Sequence, residues 1–158
     1  MSRSGHATRR RSRQLALQAL YARDLSGKGS SEPTIEIEVV FDRVAEHFDL
    51  PEGARDFAAE LAAGTIANIV RIDELLAHHA TNWKLSRMAA VDLNILRLGV
   101  FELTRTETPV SIVLDEAIVL ARKFGADSSP KFVNGVLDAV ARQIQQDAEQ
   151  GETREEPG

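Results

Sequence analysis

The sequence predicts an all-α domain of six or seven helices. Apolar residues recur at spacings of three and four along most of its length, which is the helical period. The alternating pattern of a half-buried strand is almost absent, and the β-branched residues fall at helical spacing. At 158 residues the chain fits one domain and is long enough to bury a core.

The first helix is expected to begin between Thr8 and Ser12 and to run to about Ser26, with Leu17, Leu20 and Tyr21 along one stripe. Gly27-Lys28-Gly29-Ser30-Ser31-Glu32-Pro33 reads as a loop. Ile37, Val40, Phe41, Val44 and Phe48 then form an amphipathic stripe that Leu50-Pro51-Glu52-Gly53 breaks. From Ala54 to His79 the positions Ala58, Leu61, Thr65, Ile69, Ile72 and Leu76 keep the spacing without interruption, which predicts one helix of about 40 Å. Trp83 falls in the connection that follows and is expected to pin this helix to the next. That next helix, about Ser86 to Thr104, turns Met88, Val91, Ile95, Leu98 and Phe101 to Leu103 inward. Thr108-Pro109 opens another, with Glu116 near its positive end, and Gly125 stops it. Ser129 as cap and Pro130 in the first turn start the last helix. Its apolar face is Phe132 or Val133 with Val136, Leu137, Val140 and Ile144, and Gly135 predicts a close helix crossing. The expected organisation is a flexible basic arm over 1–8, one all-α unit over 9–146 and a frayed acidic tail over 147–158.

Composition narrows the function. With no cysteine there is no disulfide scaffold, no thiol catalysis and no cysteine-held metal, which suits the cytoplasm. No apolar run spans a bilayer, and no signal peptide follows the basic start. His78 and His79 are adjacent on a helix and point about 100° apart, a poor chelating pair. The phosphate-loop, zinc-protease and serine-hydrolase motifs are missing. Gly27-Lys28-Gly29-Ser30-Ser31 has phosphate-loop composition without the spacing. Asp115-Glu116 reads as a helix-start pair rather than an acid/base pair. Nothing argues for an enzyme, a cofactor or a metal.

Charge points to binding. Residues 1–23 hold six arginines and no acid, a charge of +6, so the rest of the chain carries −11 within the net −5. A basic segment on an acidic body suggests an anionic partner, the plain alternative being a solubilising terminus. Arg9, Arg10, Arg11 and Arg13 would neutralise phosphates independently of sequence. Base preference for single-stranded RNA needs stacking, for which Phe132 is the candidate, with Lys131 beside it for a phosphate. Phe132 also reads as core, and its apolar neighbours favour that reading. Tyr21, the only tyrosine, is either an interface aromatic or a core-edge one.

Four segments resemble the NusB (N-utilisation substance B) family of bacterial transcription antitermination proteins over about residues 8–145. They are Arg9-Arg10-Arg11-Ser12-Arg13 leading to Ala19-Leu20-Tyr21; Asp92 to Leu103; Val113-Leu114-Asp115-Glu116-Ala117-Ile118; and Lys131-Phe132-Val133-Asn134-Gly135-Val136-Leu137-Asp138. The resemblance implies two small helical bundles packed across each other. It implies binding of the single-stranded boxA element of nascent RNA together with NusE, a small-subunit ribosomal protein of the S10 type. It also implies action on RNA polymerase with other Nus factors, notably in ribosomal RNA operons. The arginine-rich start and the Lys131-Phe132 region match the family's RNA surface, and Tyr21 and Asp92 match positions on its NusE surface.

One departure lies at the loop before the last helix. Where the family often has an acid this chain has Ser128, with Asp127 one residue earlier, and Pro130 replaces a polar residue. Loss of a carboxylate near phosphate strengthens RNA binding. Two alternatives accompany the resemblance. NusB-like domains also occur fused to RNA methyltransferases, so a fragment of such an enzyme is one, although no glycine-rich cofactor loop is present. A homodimer that packs the arginine arm into its own interface is the other.

Overall fold

The computed structural model describes residues 3–27, 34–80 and 84–155. They form seven α-helices and no strand: α1 Arg3–Gly27, α2 Ile37–Glu46, α3 Ala54–Ala67, α4 Ile69–His79, α5 Ala90–Arg105, α6 Val110–Phe124 and α7 Ser129–Glu155, with a 3₁₀ turn at Leu85–Arg87 before α5. The all-α expectation holds. Trp83, and all but Gly27 of the expected loop at 27–33, lie outside the described residues.

The helices pack as two groups. α1, α2 and α3 pack together, and α4, α5, α6 and α7 pack together. α5 belongs to the second group and also packs on α1 and α3, joining the two. Its residues Leu93 to Phe101 are buried without a break, and Glu102 continues the run. A helix apolar on all sides is a core helix, and here it carries the largest buried side chains, Ile95, Leu96, Leu98 and Val100 among them.

Gly53 begins α3 at φ 86, the one left-handed residue among those described, where a side chain would be strained. Gly64 of α3 faces α5 so closely that a Cβ there would sit 2.2 Å from Phe101 Cζ.

The single long helix expected from Ala54 to His79 is two helices offset at Asn68, four residues past Gly64. The Asn68 amide Nδ2 donates to the Gly64 carbonyl at 2.8 Å, alongside the backbone N–H of Asn68 at 3.2 Å. Arg105 donates to Asn68 Oδ1 at 3.0 Å. Such a side chain competes with the backbone for the helix's own acceptors and bends it. The offset lets α3 pack on α1 and α2 while α4 packs on α5 and α7.

Both ends are more helical than expected. α1 starts at Arg3, inside the segment read as an arm, and α7 runs to Glu155, past the Gln146 where fraying was expected. One pair a turn apart crosses that point, Gln143 with Asp147 at 2.8 Å.

Candidate nucleic-acid interface

The four arginines of α1 do not share one face. Arg9 lies over the Phe57 ring of α3, 4.4 Å from its centroid. Arg10 turns towards α6 and forks onto Glu116, Nε to Oε2 at 3.1 Å and Nη2 to Oε1 at 3.0 Å. Arg11 covers Phe48 at 4.2 Å and donates to the Asp49 carbonyl and to Gln14. Each step along a helix turns about 100°, so consecutive residues fan out over three neighbours.

Arg13 departs from the expected phosphate-contacting role. Its Nε and Nη2 donate to the two carboxylate oxygens of Glu102 on α5, at 2.7 and 3.0 Å. The side chains are 4% and 3% exposed, so this guanidinium is closed to solvent. Glu116 also differs from expectation. It lies beyond the first turn of α6 and holds Arg10 rather than only facing a helix dipole. That hydrogen bond, and then the charge of Glu116, raise the Arg10 pKa above its usual value. Arg10 remains half exposed.

A second clamp joins the same helices further along. Arg97 forks onto Asp73 of α4 at 2.9 Å for both bonds. It also lies 3.6 Å from Asp24 of α1. Asp24 faces Asn94 and Glu102 faces Arg13, so α1 runs antiparallel to α5 with its register held by charge at two points.

The Lys131-Phe132 region opens on a cleft of about 730 Å³. Its walls are the end of α4 (His79, Ala80), the approach to α5 (Arg87, Met88, Ala89, Asp92) and the start of α7 (Ser128, Lys131, Phe132, Gly135, Val136). The α7 start is set by Ser129, which is buried. Its Oγ accepts from the Ala126 N–H at 2.9 Å, so it ties down the preceding loop instead of capping the helix expected to follow. Phe132 is half buried against the core and lines the cleft. Ser128 lines the cleft, and Asp127 is exposed in the loop beside it.

Asp92 shares this cleft with Lys131 and Phe132, the expected RNA residues, although it was expected beside Tyr21. Its Oδ1 is buried with no hydrogen-bond partner among the described residues, as is Nε2 of His79. Burial, and then the neighbouring His78, push the His79 pKa below 6.5. The two rings meet edge to face, their centroids 5.0 Å apart. Among the described residues no group of His, Cys, Asp or Glu has the arrangement to hold a metal ion. None of the described helices is long and apolar enough to cross a membrane.

Gly135 contradicts the expected helix crossing. A Cβ there would meet nothing within 4 Å, because the residue lies at the open edge of the cleft. Gly135→Ala is therefore expected to stabilise the fold by about 0.5–1 kcal/mol through helix propensity. A higher urea midpoint checks this, and an unchanged or lower one contradicts it.

Tyr21 is 36% exposed on α1, and Leu25, one turn on, is 46% exposed. The pair makes a short exposed apolar strip on α1. Leu25 was missed in the sequence, although its spacing of four from Tyr21 is visible there.

Two bundles joined by a core helix, a basic first helix and an open, largely apolar cleft define a small all-helical binding protein. Comparison with known proteins narrows this. The NusB family profile matches residues 10–142, and the chain belongs to the NusB family. It is 46% identical to the transcription antitermination protein NusB of Geotalea uraniireducens (strain Rf4), over 85% of this chain and 94% of that protein. It is also 46% identical to that of Anaeromyxobacter dehalogenans (strain 2CP-1 / ATCC BAA-258), over 84% and 89%. Among solved structures it is similar to NusB of T. maritima, with a TM-score of 0.73 and 32% identity over 85% of this chain and 90% of that one. It is similar too to a chain in a crystal structure of the antitermination factors NusB and NusE in complex with dsRNA. There the TM-score is 0.74 at 28% identity, over 87% of this chain and 98% of that one.

Proposed function

We propose that this protein is an RNA-binding transcription antitermination factor. It takes the single-stranded boxA element of nascent RNA together with NusE, and joins RNA polymerase with other Nus factors in the cytoplasm, notably on ribosomal RNA operons. The observation that carries the reading is the cleft in which Phe132, Lys131 and Ser128 meet. An aromatic ring at a cleft wall with a cation beside it suits an unstacked base and its phosphate. Family membership supports it, and the similar chain from a complex of NusB and NusE with dsRNA supports RNA and NusE as partner classes. Single strands are favoured over duplex because a paired base cannot lie against a half-buried ring.

Arg9 and Arg11, and more weakly the Glu116-bound Arg10, supply phosphate contacts. Affinity for single strands falls with salt at a slope of about −0.7 per phosphate neutralised. Replacing Arg9 and Arg11 by Ala is expected to flatten the slope by about 1.4 and to weaken all RNAs alike. Phe132→Ala is expected to cost about 1–3 kcal/mol of boxA affinity and leave the slope unchanged. Titrations of boxA RNA at several salt concentrations, with thermal unfolding of the same variants, test both. Normal RNA affinity in folded Phe132→Ala protein would refute the stacking role.

NusE docks on the strip formed by Tyr21 and Leu25. Tyrosine is a frequent interface anchor, and a charge in its place is expected to weaken binding about tenfold or more. Calorimetric titration of NusE into Tyr21→Asp protein of normal helicity tests this, and an unchanged Kd removes Tyr21 from the interface.

A further inference from the structure

A second groove opens at the other end of α5 from Phe132. It measures about 650 Å³ and lies between the start of α1, α3 and the α5–α6 connection. Arg9 and Phe57 line it together, the guanidinium 4.4 Å from the ring centroid. Phe57 is half buried against the core, whereas Arg9 is exposed. The other arginines of the cluster are engaged. Arg10 is forked on Glu116, Arg11 donates to Asp49 and Gln14, and Arg13 is closed in with Glu102. Arg9 makes no hydrogen bond or ion pair among the described residues, so its edge donors are free while a ring supports its plane. The charges around it cancel. Glu60 and Glu107 line the groove with Arg9 and Arg105, and Arg13 is met by Glu102. Such a lining does not concentrate free phosphate. It suits a flat, uncharged group that stacks.

We infer that this groove is a second nucleotide subsite, where a base stacks on the Arg9 guanidinium that Phe57 holds in place. Unpaired bases stack on aromatic rings and on arginine planes alike. A guanidinium is planar and carries its donors around its edge. One face rests on Phe57, the other takes the base, and the edge meets that nucleotide's phosphate. A ring underneath fixes the cation before RNA arrives, which lowers the ordering cost of binding. Phe57 is thus a positioning residue and Arg9 the contact. Arg10, next on the helix, keeps half of its surface in solvent for a neighbouring phosphate. The two sites stand at the two ends of one helix. The Phe132 cleft includes Ala89 and Asp92, and this groove includes Arg105. The 16 residues of α5 between them span about 24 Å, so one extended strand of several nucleotides reaches both. This rests on the RNA-binding reading above and adds a second point at which a base is held.

The test measures binding of a uridine dodecamer to the full chain at several salt concentrations. Arg9→Lys keeps the charge and loses the plane. It is expected to bind about tenfold more weakly, the scale of one stacked base, with the wild-type salt slope. Wild-type affinity in Arg9→Lys would mean that Arg9 meets phosphate only, which overturns the proposal while the RNA-binding reading stands. Phe57→Leu is expected to show a similar loss in the wild-type background and none in the Arg9→Lys background. Losses that add in the double variant would mean that Phe57 acts apart from Arg9, and they overturn the proposal too. Thermal unfolding checks each variant, and Arg9→Lys, at an exposed position, carries the test should Phe57→Leu lose its fold. A dodecamer of abasic ribose phosphates leaves no base to stack, so wild type and Arg9→Lys are expected to bind it alike. A tenfold gap that persists there removes the base from the groove. If wild type binds no uridine dodecamer at any salt concentration, both readings fall.

Discussion

Arg13→Ala is expected to lose about 3–5 kcal/mol of folding stability, the cost of removing one partner from a buried ion pair. The pair is bidentate at 2.7 and 3.0 Å, and both side chains are almost fully buried. Alanine would leave the Glu102 carboxylate in the core without its counter-charge. The loss comes from that stranded charge rather than from any large net gain of the pair. Arg13→Met combined with Glu102→Leu should therefore recover most of it, because a packed apolar pair often replaces a buried ion pair at little cost. Urea unfolding of the two variants measures both effects. A loss below about 1 kcal/mol in Arg13→Ala, the scale of a surface pair, would mean that the guanidinium is solvated in solution. The same variant should keep the wild-type salt slope of RNA binding, since a guanidinium closed to solvent meets no phosphate.

The arginine cluster shows how far sequence reasoning reaches. Its composition marks a basic segment, and adjacency suggests a shared surface. The helical turn already argued otherwise, for residues 9, 10 and 11 cannot face one way. Glu102 and Arg97 were a second legible signal. Both lie in an apolar run from Leu93 to Leu103, and charges on a helix buried all round must be paired. Their partners, Arg13 and Asp73, are 89 and 24 residues away, and nothing in the spacing names them. The offset at Asn68 was hidden for a different reason. The apolar stripe continues through it in register, and what bends the helix is a polar side chain bonding to its own backbone. The cleft was the least legible part. Its walls come from residues 79–92 and 128–136, so only the fold brings His79 and Asp92 to Phe132. Resemblance to the NusB family singled out Asp92, and no residue pattern singled out His79.

Glycine gives the other large effect. Gly135 stands out in the sequence, yet the close approaches across packed helix pairs are at Gly64, against α5, and Gly99, against α7. Gly64→Val is expected to cost about 3 kcal/mol or more, and Gly64→Ala about 1–3 kcal/mol, as overpacking in a filled core does. Alanine would otherwise gain about 1 kcal/mol in a helix interior, so a net loss must come from the contact. That contact is with Phe101, whose Cζ and Cε2 lie 2.2 and 2.5 Å from the added Cβ and whose ring is 5% exposed. A phenyl ring cannot shorten itself, so it must move with the core around it. At Gly99 the nearest atom is the tip of Leu137, at 2.7 Å. A leucine tip can swing aside, so Gly99→Ala should cost less. Phe101→Leu removes the far end of the ring, and in that background Gly64→Ala should be tolerated. The double-mutant coupling is expected to reach about 1 kcal/mol or more, within the range for residues in direct contact. Denaturant unfolding of the four chains in that cycle decides it. Additive losses would mean that Gly64 is required for its backbone alone, and that α3 does not approach α5 through the Phe101 ring.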